Sequence, residues 1–544
     1  MNLKGLVKPR QRTLNVEPIR TCLPLELWIV IASYFPAESL HKLLGINRPL
    51  FNWVMDRLYE RVEFSVAVIG VKRPNIQQLR YNSIAKRVKS LHIAFCHFYS
   101  PYAWRTDSLK DRVVRKIAGR KDVWTIAKTA PPSEIDGSLF TQVTTFTLCI
   151  NSRVYLRHVI PFVSAFWYAN FRGLRVLSFH FRMKDIHALM KPLLQTPVIL
   201  PNLVDFTFQA NHDGKHRDPA IFSQHEITEA SSWLTSFLLS IRPSVEILNL
   251  ILPPNIDTTR LFSEMAKAPF YRLKRFLFSQ ACGTDSFPKE HSFSDFLVEQ
   301  CKHSLDHLII EPFLFTSWIG SNPVKQSEAY HDWLTKELPG LELPGLRTLQ
   351  ACLVMWPELS KETLFPRNGD PFFLSNHSNH LDSVFFLAQS IDVRQLALVT
   401  SAFAPESSVL QYLNLMVEVL TPECFDLLAN DLPRLKRLDL YCNCLGIQAL
   451  DGVGIRELQL IGDDRESGNP TDSLLFTTQM ERRLYNNWAL RRLQIDISNS
   501  GKCEWHRAVI DALSNSIPSA IIIDRHSTLK YFYPDFNLET SVIH

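Results

Sequence analysis

Short hydrophobic units recur through most of the chain, and each has the same spacing. An apolar residue is followed by two variable residues, a second apolar residue, one variable residue and a third apolar residue. Because the last two apolar positions are two residues apart, each unit predicts a short strand with one buried face. The units are Val88/Leu91/Ile93, Val143/Phe146/Leu148, Leu174/Leu177/Phe179, Leu203/Phe206/Phe208, Val245/Leu248/Leu250, Leu273/Phe276/Phe278, Leu305/Leu308/Ile310, Leu346/Leu349/Ala351, Val393/Leu396/Leu398, Leu410/Leu413/Leu415, Leu435/Leu438/Leu440, Ile455/Leu458/Leu460 and Leu490/Leu493/Ile495.

Helical segments lie between many of these units. Thr421, Pro422 and Glu423 open one of them, in the order of cap residue, first-turn proline and first-turn acid that favours a helix start. Apolar residues at helical spacing precede other units: Ile186, Leu189, Met190, Leu193 and Leu194; Ile227, Trp233, Leu234, Phe237 and Leu238; Phe293, Phe296 and Leu297; Trp333 and Leu334. Strands and helices that alternate in steps of roughly thirty residues predict an irregular α/β solenoid over residues 65–530.

Three segments fit no unit and are predicted to be inserted loops, namely 99–140, 366–380 and 463–473. A different interpretation of the whole region is an irregular α/β fold in which the units arise from a leucine-rich composition alone. The two interpretations differ in whether the strands lie side by side in chain order.

In a solenoid, the residues that alternate with the buried ones would form an open, concave face. For the late units these residues are Tyr412, Asn414, Arg437, Asp439, Tyr441, Glu457, Gln459, Arg492 and Gln494. Mixed charge with apolar side chains at such positions favours a protein partner over nucleic acid. Tyrosine and arginine most often dominate interface energy, so we predict substrate contacts at Tyr412, Arg437, Tyr441 and Arg492. Ordinary surface residues are the alternative, and Asp439 is expected to tolerate alanine.

The segment from Leu23 to Val62 predicts three short helices. Their start and stop signals are Pro24 and Pro36 for the first helix, Ser39 and Gly45 for the second, and Asn47 for the start of the third. The first helix is apolar almost all round. One apolar stripe consists of Leu23, Leu27, Val30, Ile31 and Tyr34, and the opposite side of the helix carries Leu25, Trp28 and Ile29. About 40 residues rarely fold alone, so the second apolar face predicts docking on the rest of the chain or on another protein.

Eleven positions of this segment form a further pattern: Leu23, Pro24, Glu26, Leu27, Ile31, Phe35, Leu40, Leu43, Ile46, Arg48 and Trp53. With these residues the segment resembles the F-box, the adaptor-binding module of cullin–RING ubiquitin ligases. Asn47 and Pro49 depart from the family pattern without removing a hydrophobic anchor. The resemblance implies that a Skp-type adaptor docks on a surface formed by Leu23, Pro24, Leu25, Leu27, Ile31, Leu40, Leu43 and Trp53. An ordinary helical cap on the larger domain is the alternative.

The repeated units after this segment resemble the leucine-rich repeats that follow many F-boxes, although the asparagine or cysteine usual after the strand is missing. The expected fold class is therefore α/β, with an N-terminal three-helix F-box followed by an irregular leucine-rich-repeat solenoid. The expected organisation is a flexible basic tail (1–20), the F-box (21–64), the solenoid with inserted loops (65–530) and a C-terminal tail (531–544).

Charge and cysteine content narrow the functional classes. The 59 cationic and 54 acidic residues give a net charge of only +5, so no nucleic-acid partner is implied. The ten cysteines are mostly isolated, and the one close pair, Cys442 and Cys444, is too closely spaced for a zinc knuckle. We therefore expect buried reduced thiols, no metal and no cofactor.

Targeting signals are weak. The first twenty residues have no apolar stretch of the kind found in signal peptides. The longest apolar run, residues 27–35, is too short to cross a bilayer, so no membrane partner is expected. The basic cluster at 112–121 is either a nuclear address or a solvated helix face. These features predict a protein of the cytoplasm, the nucleus or both.

No sequence motif for catalysis is present among the phosphate-binding, dinucleotide-binding, zinc-protease and serine-hydrolase patterns. His303 and His307 are four residues apart, but His307 falls in a predicted strand. The resemblance implies a non-catalytic substrate-recognition subunit of a Skp–cullin–F-box ubiquitin ligase, with the F-box on the adaptor and the repeats on a protein substrate. The alternatives are a scaffold or binding protein that acts outside ubiquitination, and an enzyme whose site forms only in three dimensions.

Overall fold

The computed structural model describes residues 24–35, 48–65, 79, 81–95, 136–150, 153–170, 172–182, 185–194, 200–211, 224–253, 256–281, 287–289, 291–313, 330, 333, 334, 336, 337, 341–351, 372–404, 407–446, 470–497 and 504–524 of the 544-residue chain.

The fold is mixed α/β, with one long parallel sheet. Within the described residues the sheet has fourteen strands, and their order in the sheet is their order in the chain. The strands are β1 (Arg61–Ser65), β2 (Ser90–Phe95), β3 (Thr145–Ile150), β4 (Val176–Arg182), β5 (Asp205–Asn211), β6 (Ile247–Leu252), β7 (Arg275–Ala281), β8 (His307–Phe313), β9 (Thr348–Ala351), β10 (Ser383–Ile391), β11 (Tyr412–Leu420), β12 (Arg437–Leu445), β13 (Arg492–Ile497) and β14 (Ile521–Asp524). Parallel neighbours require a crossover between them, and the repetition of one crossover is consistent with the predicted solenoid.

Helices supply these crossovers and form the N-terminal unit. They are α1 (Leu25–Ser33), α2 (Arg48–Tyr59), α3 (Asn82–Ala85), α4 (Arg153–Asn170), α5 (Ile186–Leu194), α6 (Gln224–Ile241), α7 (Thr258–Met265), α8 (Ser292–Cys301), α9 (Phe372–His377), α10 (Val393–Phe403), α11 (Pro422–Asp431), α12 (Pro470–Met480) and α13 (Glu504–Ser516). A single 3₁₀ turn covers Gly137–Leu139. The helical segments predicted before the strands at Leu203, Val245, Leu305 and Leu435 correspond to α5, α6, α8 and α11.

The core contains an unbroken row of apolar side chains across the sheet. One residue from each strand from β2 to β13 occupies it, in direct register with its neighbours: Leu91, Phe146, Leu177, Phe206, Leu248, Phe276, Leu308, Leu349, Val384, Leu413, Leu438 and Leu493. All twelve side chains are buried. Because strand residues alternate between the two faces, each of these positions also directs its neighbours in the chain to the open face.

The helices pack their aromatic residues against this row. Phe262 of α7 shows the pattern, since its ring lies 6.2 Å from that of Phe276 and 5.1 Å from that of Phe278 in edge-to-face contacts. The ring of Phe293, in the next helix α8, lies 5.1 Å from the ring of Phe262. Edge-to-face pairs add to the free energy of burial, so each helix joins its own repeat to the following one.

Main-chain hydrogen bonds join successive repeats where the usual asparagine is missing. The carbonyl of Arg175, just before β4, accepts from the amides of Val204 and Asp205 at 2.8 and 3.0 Å. The carbonyl of Glu246 accepts from Lys274 and Arg275 at the same two distances. This shared acceptor recurs at the start of the strands, and it holds neighbouring repeats in register.

Helices α1 and α2 of the N-terminal unit pack on each other through a small cluster. Ala32, Leu50 and Val54 are buried, with Trp28 and Trp53 packed against them. Residues 36–47, which include the predicted second helix, lie outside the described residues. The unit is continuous with the solenoid, because β1 follows α2 directly. The predicted boundary between residues 64 and 65 therefore falls inside a strand of the sheet.

One predicted strand is wrong. The unit Val393/Leu396/Leu398 lies in helix α10, and the strand of that repeat is β10, whose Val384 occupies the core row. The side chain of Asp392 accepts from the amide of Gln395 at 2.8 Å, and the side chain of Gln395 accepts from the amide of Asp392 at 3.0 Å. This capping box starts a helix. Within it Leu396 is buried but Leu398 is only half-buried, because a two-residue step that stays on one face of a strand does not stay on one face of a helix.

The late repeats also differ from the prediction. Strand β12 pairs directly with β13, so the strands at Leu435 and Leu490 are neighbours in the sheet. The predicted unit Ile455/Leu458/Leu460 lies outside the described residues. At the two ends of the sheet, β1 and β14 were not among the predicted units, because each carries too short an apolar pattern to match the repeat.

Candidate functional site

Helix α1 presents an apolar stripe to solvent. Leu27, Val30, Ile31 and Tyr34 are 47, 49, 42 and 83 % exposed. Their spacing of three, four and seven residues places them on one face of the helix. Isolated surface leucines are ordinary, but a contiguous apolar stripe is a candidate docking surface.

The opposite face of α1 explains why this stripe remains open. Trp28 and Ala32, four residues apart, turn towards Leu50 and Val54 of α2. Because α1 is apolar almost all round and α2 covers only one side of it, the helix keeps a second apolar face. The same alternation continues on α2, where Phe51 and Leu58 are each 41 % exposed.

The structure describes five of the eight predicted adaptor-binding residues. Pro24, Leu27 and Ile31 are exposed, and Trp53 is half-buried with the guanidinium of Arg57 5.7 Å from its ring centre. Leu25 is the first residue of α1. The remaining three, Leu23, Leu40 and Leu43, lie outside the described residues.

Arg87 fixes α2 against the first repeat. From the turn before β2, its Nη1 donates to the carbonyl of Asn52 at 3.1 Å, and its Nη2 donates to the side-chain oxygen of Asn52 at 3.0 Å. The same guanidinium pairs with the carboxylate of Asp56. Tyr59 at the end of α2 belongs to the main core. The exposed stripe of α1 is therefore held in a defined orientation relative to the sheet.

Three of the four predicted substrate contacts meet on the open face near its C-terminal end. Tyr412, Arg437 and Arg492 occupy one row of the sheet, on adjacent strands. Tyr441 lies on the same face of β12, half-buried, beside Asp496 of β13. The sequence alternation assigned all four to this face, and the structure brings Tyr412, Arg437 and Arg492 into one row, with Tyr441 further along β12.

A buried carboxylate, which the sequence did not indicate, organises this group. Asp439 is 3 % exposed, accepts from the hydroxyl of Tyr412 at 2.6 Å and accepts from Arg437 Nη2 at 2.8 Å. The guanidinium of Arg437 also lies 4.2 Å from the ring centre of Tyr412. Burial, followed by the hydrogen bond to Asp439, raises the pKa of Tyr412. The hydrogen bond to Asp439 raises the pKa of Arg437.

Arg492 makes fewer side-chain hydrogen bonds than Arg437 among the described residues. Its Nη2 donates to the side-chain oxygen of Gln494 at 3.3 Å, and within the described residues its Nε has no hydrogen-bond partner. Phe385 of β10 extends the surface on the other side, with its ring 4.6 Å from that of Tyr412 in an edge-to-face contact. The result is an aromatic and cationic surface of the composition typical of protein interfaces.

The described part of the chain contains free thiols but neither a metal site nor a membrane-spanning helix. No three His, Cys, Asp or Glu side chains there are arranged to hold a metal ion. No helix there is long and apolar enough to span a membrane. Cys301 and Cys424 are free thiols, and both are buried.

Comparisons with known proteins identify no family for this chain. No family model matches it, and no curated protein matches it. Among solved structures, a chain of the "Crystal structure of Rad7 and Elc1 complex in yeast" is similar over 66 % of this chain and 92 % of that chain, at 15 % identity and a TM-score of 0.27. A TM-score of this size carries no argument about fold or partners.

Proposed function

We propose that the chain is the substrate-recognition subunit of a Skp–cullin–F-box ubiquitin ligase. In this proposal the N-terminal unit binds a Skp-type adaptor and, through it, a cullin, while the open face of the sheet binds a protein substrate. The chain itself carries no catalytic residue and acts in the cytoplasm, the nucleus or both. Its contribution is proximity, because holding substrate lysines near a ubiquitin-loaded enzyme raises their effective concentration.

The exposed stripe of α1 is the observation that carries the proposal. Leu27 and Ile31 belong both to the F-box-like pattern and to the stripe, so two residues that confer the resemblance are apolar side chains exposed on α1. A helical cap that served only the solenoid would turn these side chains towards the sheet. The contacts of Arg87 with Asn52 and Asp56 of α2 support the same function. They fix the N-terminal unit against the first repeat, and a receptor has to hold its substrate at a defined position relative to the adaptor.

A binding assay with purified Skp-type adaptor tests this half of the proposal. In the full chain, Leu27→Ala with Ile31→Ala removes the centre of the stripe, and Tyr271→Ala with Leu484→Ala removes two exposed apolar side chains elsewhere. We expect adaptor affinity to fall at least about tenfold for the first pair only, since truncation at a hot spot typically costs more than 1 kcal/mol. Melting temperatures should stay unchanged for both.

Adaptor binding that survives the first double variant contradicts the assignment of α1 as the docking face. If the parent chain binds the adaptor but does not co-purify with a cullin, the chain acts instead as a scaffold outside ubiquitination. The substrate half is tested with Tyr441→Ala and Arg492→Ala together, which leave Asp439 and its partners in place. This variant should keep the adaptor and lose the proteins that the parent chain captures when the proteasome is inhibited. An unchanged set of captured proteins contradicts the proposed substrate surface.

A further inference from the structure

The residues that immediately precede the strands form a further row across the sheet, which we call the rim row. Their main-chain carbonyls are the shared acceptors described above. From β6 to β10 the charges of the rim row alternate in sign: Glu246, Lys274, Asp306, Arg347 and Asp382. Neighbouring charges of opposite sign compensate each other there, as in the pair formed by Lys274 and Glu246 at 2.8 Å.

This alternation ends at the C-terminal strands. Gln411, Lys436 and Arg491 precede β11, β12 and β13, so two cations are neighbours in the rim row and no acid lies beside them in it. Both cations are exposed. The next row repeats the charge, because Arg437 is in register with Arg492. Lys436, Arg437, Arg491 and Arg492 thus form a block of four cations on two adjacent strands, which we call the cationic block.

Three of the four cations have no acidic partner among the described residues. Lys436 Nζ donates to the neutral side-chain oxygen of Gln411 at 2.8 Å, and Arg492 Nη2 donates to that of Gln494 at 3.3 Å. In the described part of the chain, the side chain of Arg491 makes no hydrogen bond or ion pair. Neighbouring strands lie about 4.8 Å apart, so the like charges on β12 and β13 repel each other at a cost in free energy. An anion bound over the block removes this cost.

The carboxylates of this part of the open face do not cancel the exposed positive charge. Asp439 is 3 % exposed, and its charge is compensated by Arg437 at 2.8 Å. Asp496 is 4 % exposed and lies further along β13 than Arg492, away from the rim row. The surface that a ligand meets at the start of β12 and β13 is therefore positive.

Apolar and aromatic side chains flank the cationic block in its own row. Ile521 of β14 is the register partner of Arg492 and is 71 % exposed. On the other side, Tyr412 is the register partner of Arg437. Accessible apolar surface beside charged groups is typical of a protein interface, so a ligand with both an acidic and an apolar residue fits this surface.

The size of the cationic block selects among anions. It contains two pairs of cations, one in the rim row and one in the row beside it, and this arrangement suits two neighbouring carboxylates better than a single phosphate group. Nucleic acid is held by cations along a longer track. In the rim row an acid returns at Asp382, two strands before Lys436, so the track is interrupted.

We infer that the cationic block of Lys436, Arg437, Arg491 and Arg492 binds an acidic polypeptide segment in which an apolar residue follows two neighbouring carboxylates. The carboxylates accept hydrogen bonds from the ammonium and guanidinium groups of the block, and the apolar side chain packs on Ile521. The inference rests on the proposed function for the class of ligand, a protein substrate, and adds the charge of the segment that is recognised. Complementary charge also accelerates the encounter of the two proteins.

Fluorescence anisotropy of labelled probes, titrated with the full chain, tests this inference. Three nonapeptides carry Glu-Glu-Leu, Gln-Gln-Leu or Lys-Lys-Leu at their centre and are otherwise identical and uncharged. We expect the Glu-Glu-Leu peptide to bind at least about tenfold more tightly than the Gln-Gln-Leu peptide, and the Lys-Lys-Leu peptide not to bind. Raising the salt concentration from about 50 to about 300 mM should remove most of this difference, because exposed charges are screened.

Lys436→Glu with Arg491→Glu should abolish the preference for the Glu-Glu-Leu peptide. Arg175→Glu with Arg272→Glu is the matched control, because it makes the same change in net charge at two exposed arginines before β4 and β7. The control should leave the affinity for the Glu-Glu-Leu peptide within about twofold of the parent value. If the first variant melts at a lower temperature than the parent chain, Lys436→Gln with Arg491→Gln provides the same comparison without introducing acids.

Two further probes represent other anions: the peptide with one phosphoserine in place of Glu-Glu, and a nine-nucleotide single strand of thymidine. Tighter binding of either probe than of the Glu-Glu-Leu peptide overturns the inference. Equal binding of the Glu-Glu-Leu and Gln-Gln-Leu peptides, no binding up to about 300 μM of the chain, or equal losses in both double variants also overturns it. Adaptor binding is measured separately: its loss contradicts the proposed function, whereas failed peptide titrations with the adaptor retained contradict this inference alone.

Discussion

Replacement of Asp439 by alanine should weaken the C-terminal repeats by a measurable amount. The strand alternation places Asp439 on the open face, where alanine would be tolerated. In the structure its carboxylate is buried and accepts hydrogen bonds from Tyr412 and from two nitrogens of Arg437. Asp439→Ala therefore leaves a cation and a hydroxyl without their acceptor.

The contacts of Asp439 give the magnitude. A hydrogen bond to a charged group contributes roughly 1.5–3 kcal/mol to stability. The side chain of Arg437 is 38 % exposed, so water replaces part of what it loses. Tyr412 is half-buried, so water compensates its hydroxyl only in part. We expect a total loss of about 3 kcal/mol, and a smaller loss for Asp439→Asn, which keeps one acceptor oxygen.

Hydrogen–deuterium exchange is the suitable assay, because each repeat of a solenoid contacts only its neighbours. A loss of about 3 kcal/mol should accelerate exchange of the amides in β11, β12 and β13 about 100-fold, provided that exchange follows local opening. Amides in β4 to β6 should be unchanged. Asp306→Ala is the control, since that carboxylate is 39 % exposed and pairs only with the neighbouring His307. Exchange in β12 within about threefold of the parent chain would refute the reasoning.

Three further predictions follow from packing and charge. Leu415→Ala should lower the free energy of unfolding by about 2–5 kcal/mol, whereas Met416→Ala, at the next residue and on the open face, should lower it by less than about 1 kcal/mol. Denaturant unfolding followed by amide exchange in β11 measures both losses, and equal losses would show that the assigned faces are wrong. Arg87→Ala should speed amide exchange in α2 about tenfold, for a loss of about 1–2 kcal/mol, without affecting β11, whereas the exposed Arg57→Ala should change neither. Asp205→Asn should stabilise the chain at pH 7.5 by up to about 3 kcal/mol, because the folded pKa of about 6 lies above the ordinary value of 3.8 and the carboxylate is ionised at a cost. This gain should fade as the pH falls through 6 towards 4, and thermal unfolding that shows the same difference at both pH values would contradict it.

The hydrophobic spacing of the sequence was sufficient to predict most strands and the faces they bury. Leu177, Phe206 and Leu248 entered the core row as expected, because an apolar residue gains free energy on that face whatever its exact neighbours are. The stripe on α1 was equally visible, since Leu27 and Ile31 follow from helical periodicity alone. These features depend on the apolar or polar character of a residue and on local geometry.

Tertiary structure decided the rest, and in each case the reason is a partner distant in the chain. The segment at Val393 matched the strand pattern, but the pairing of Val384 with Leu349 made Ser383–Ile391 the strand of that repeat, and the segment at Val393 forms the following helix. The burial of Asp439 depends on Tyr412, 27 residues away, and that of Asn249 depends on Thr207, 42 residues away. A polar residue on the open face is exposed or enclosed according to the strands beside it. The spacing of apolar residues predicts which face of a strand is buried, but only the assembled sheet determines which polar atoms on the other face are left to bind a partner.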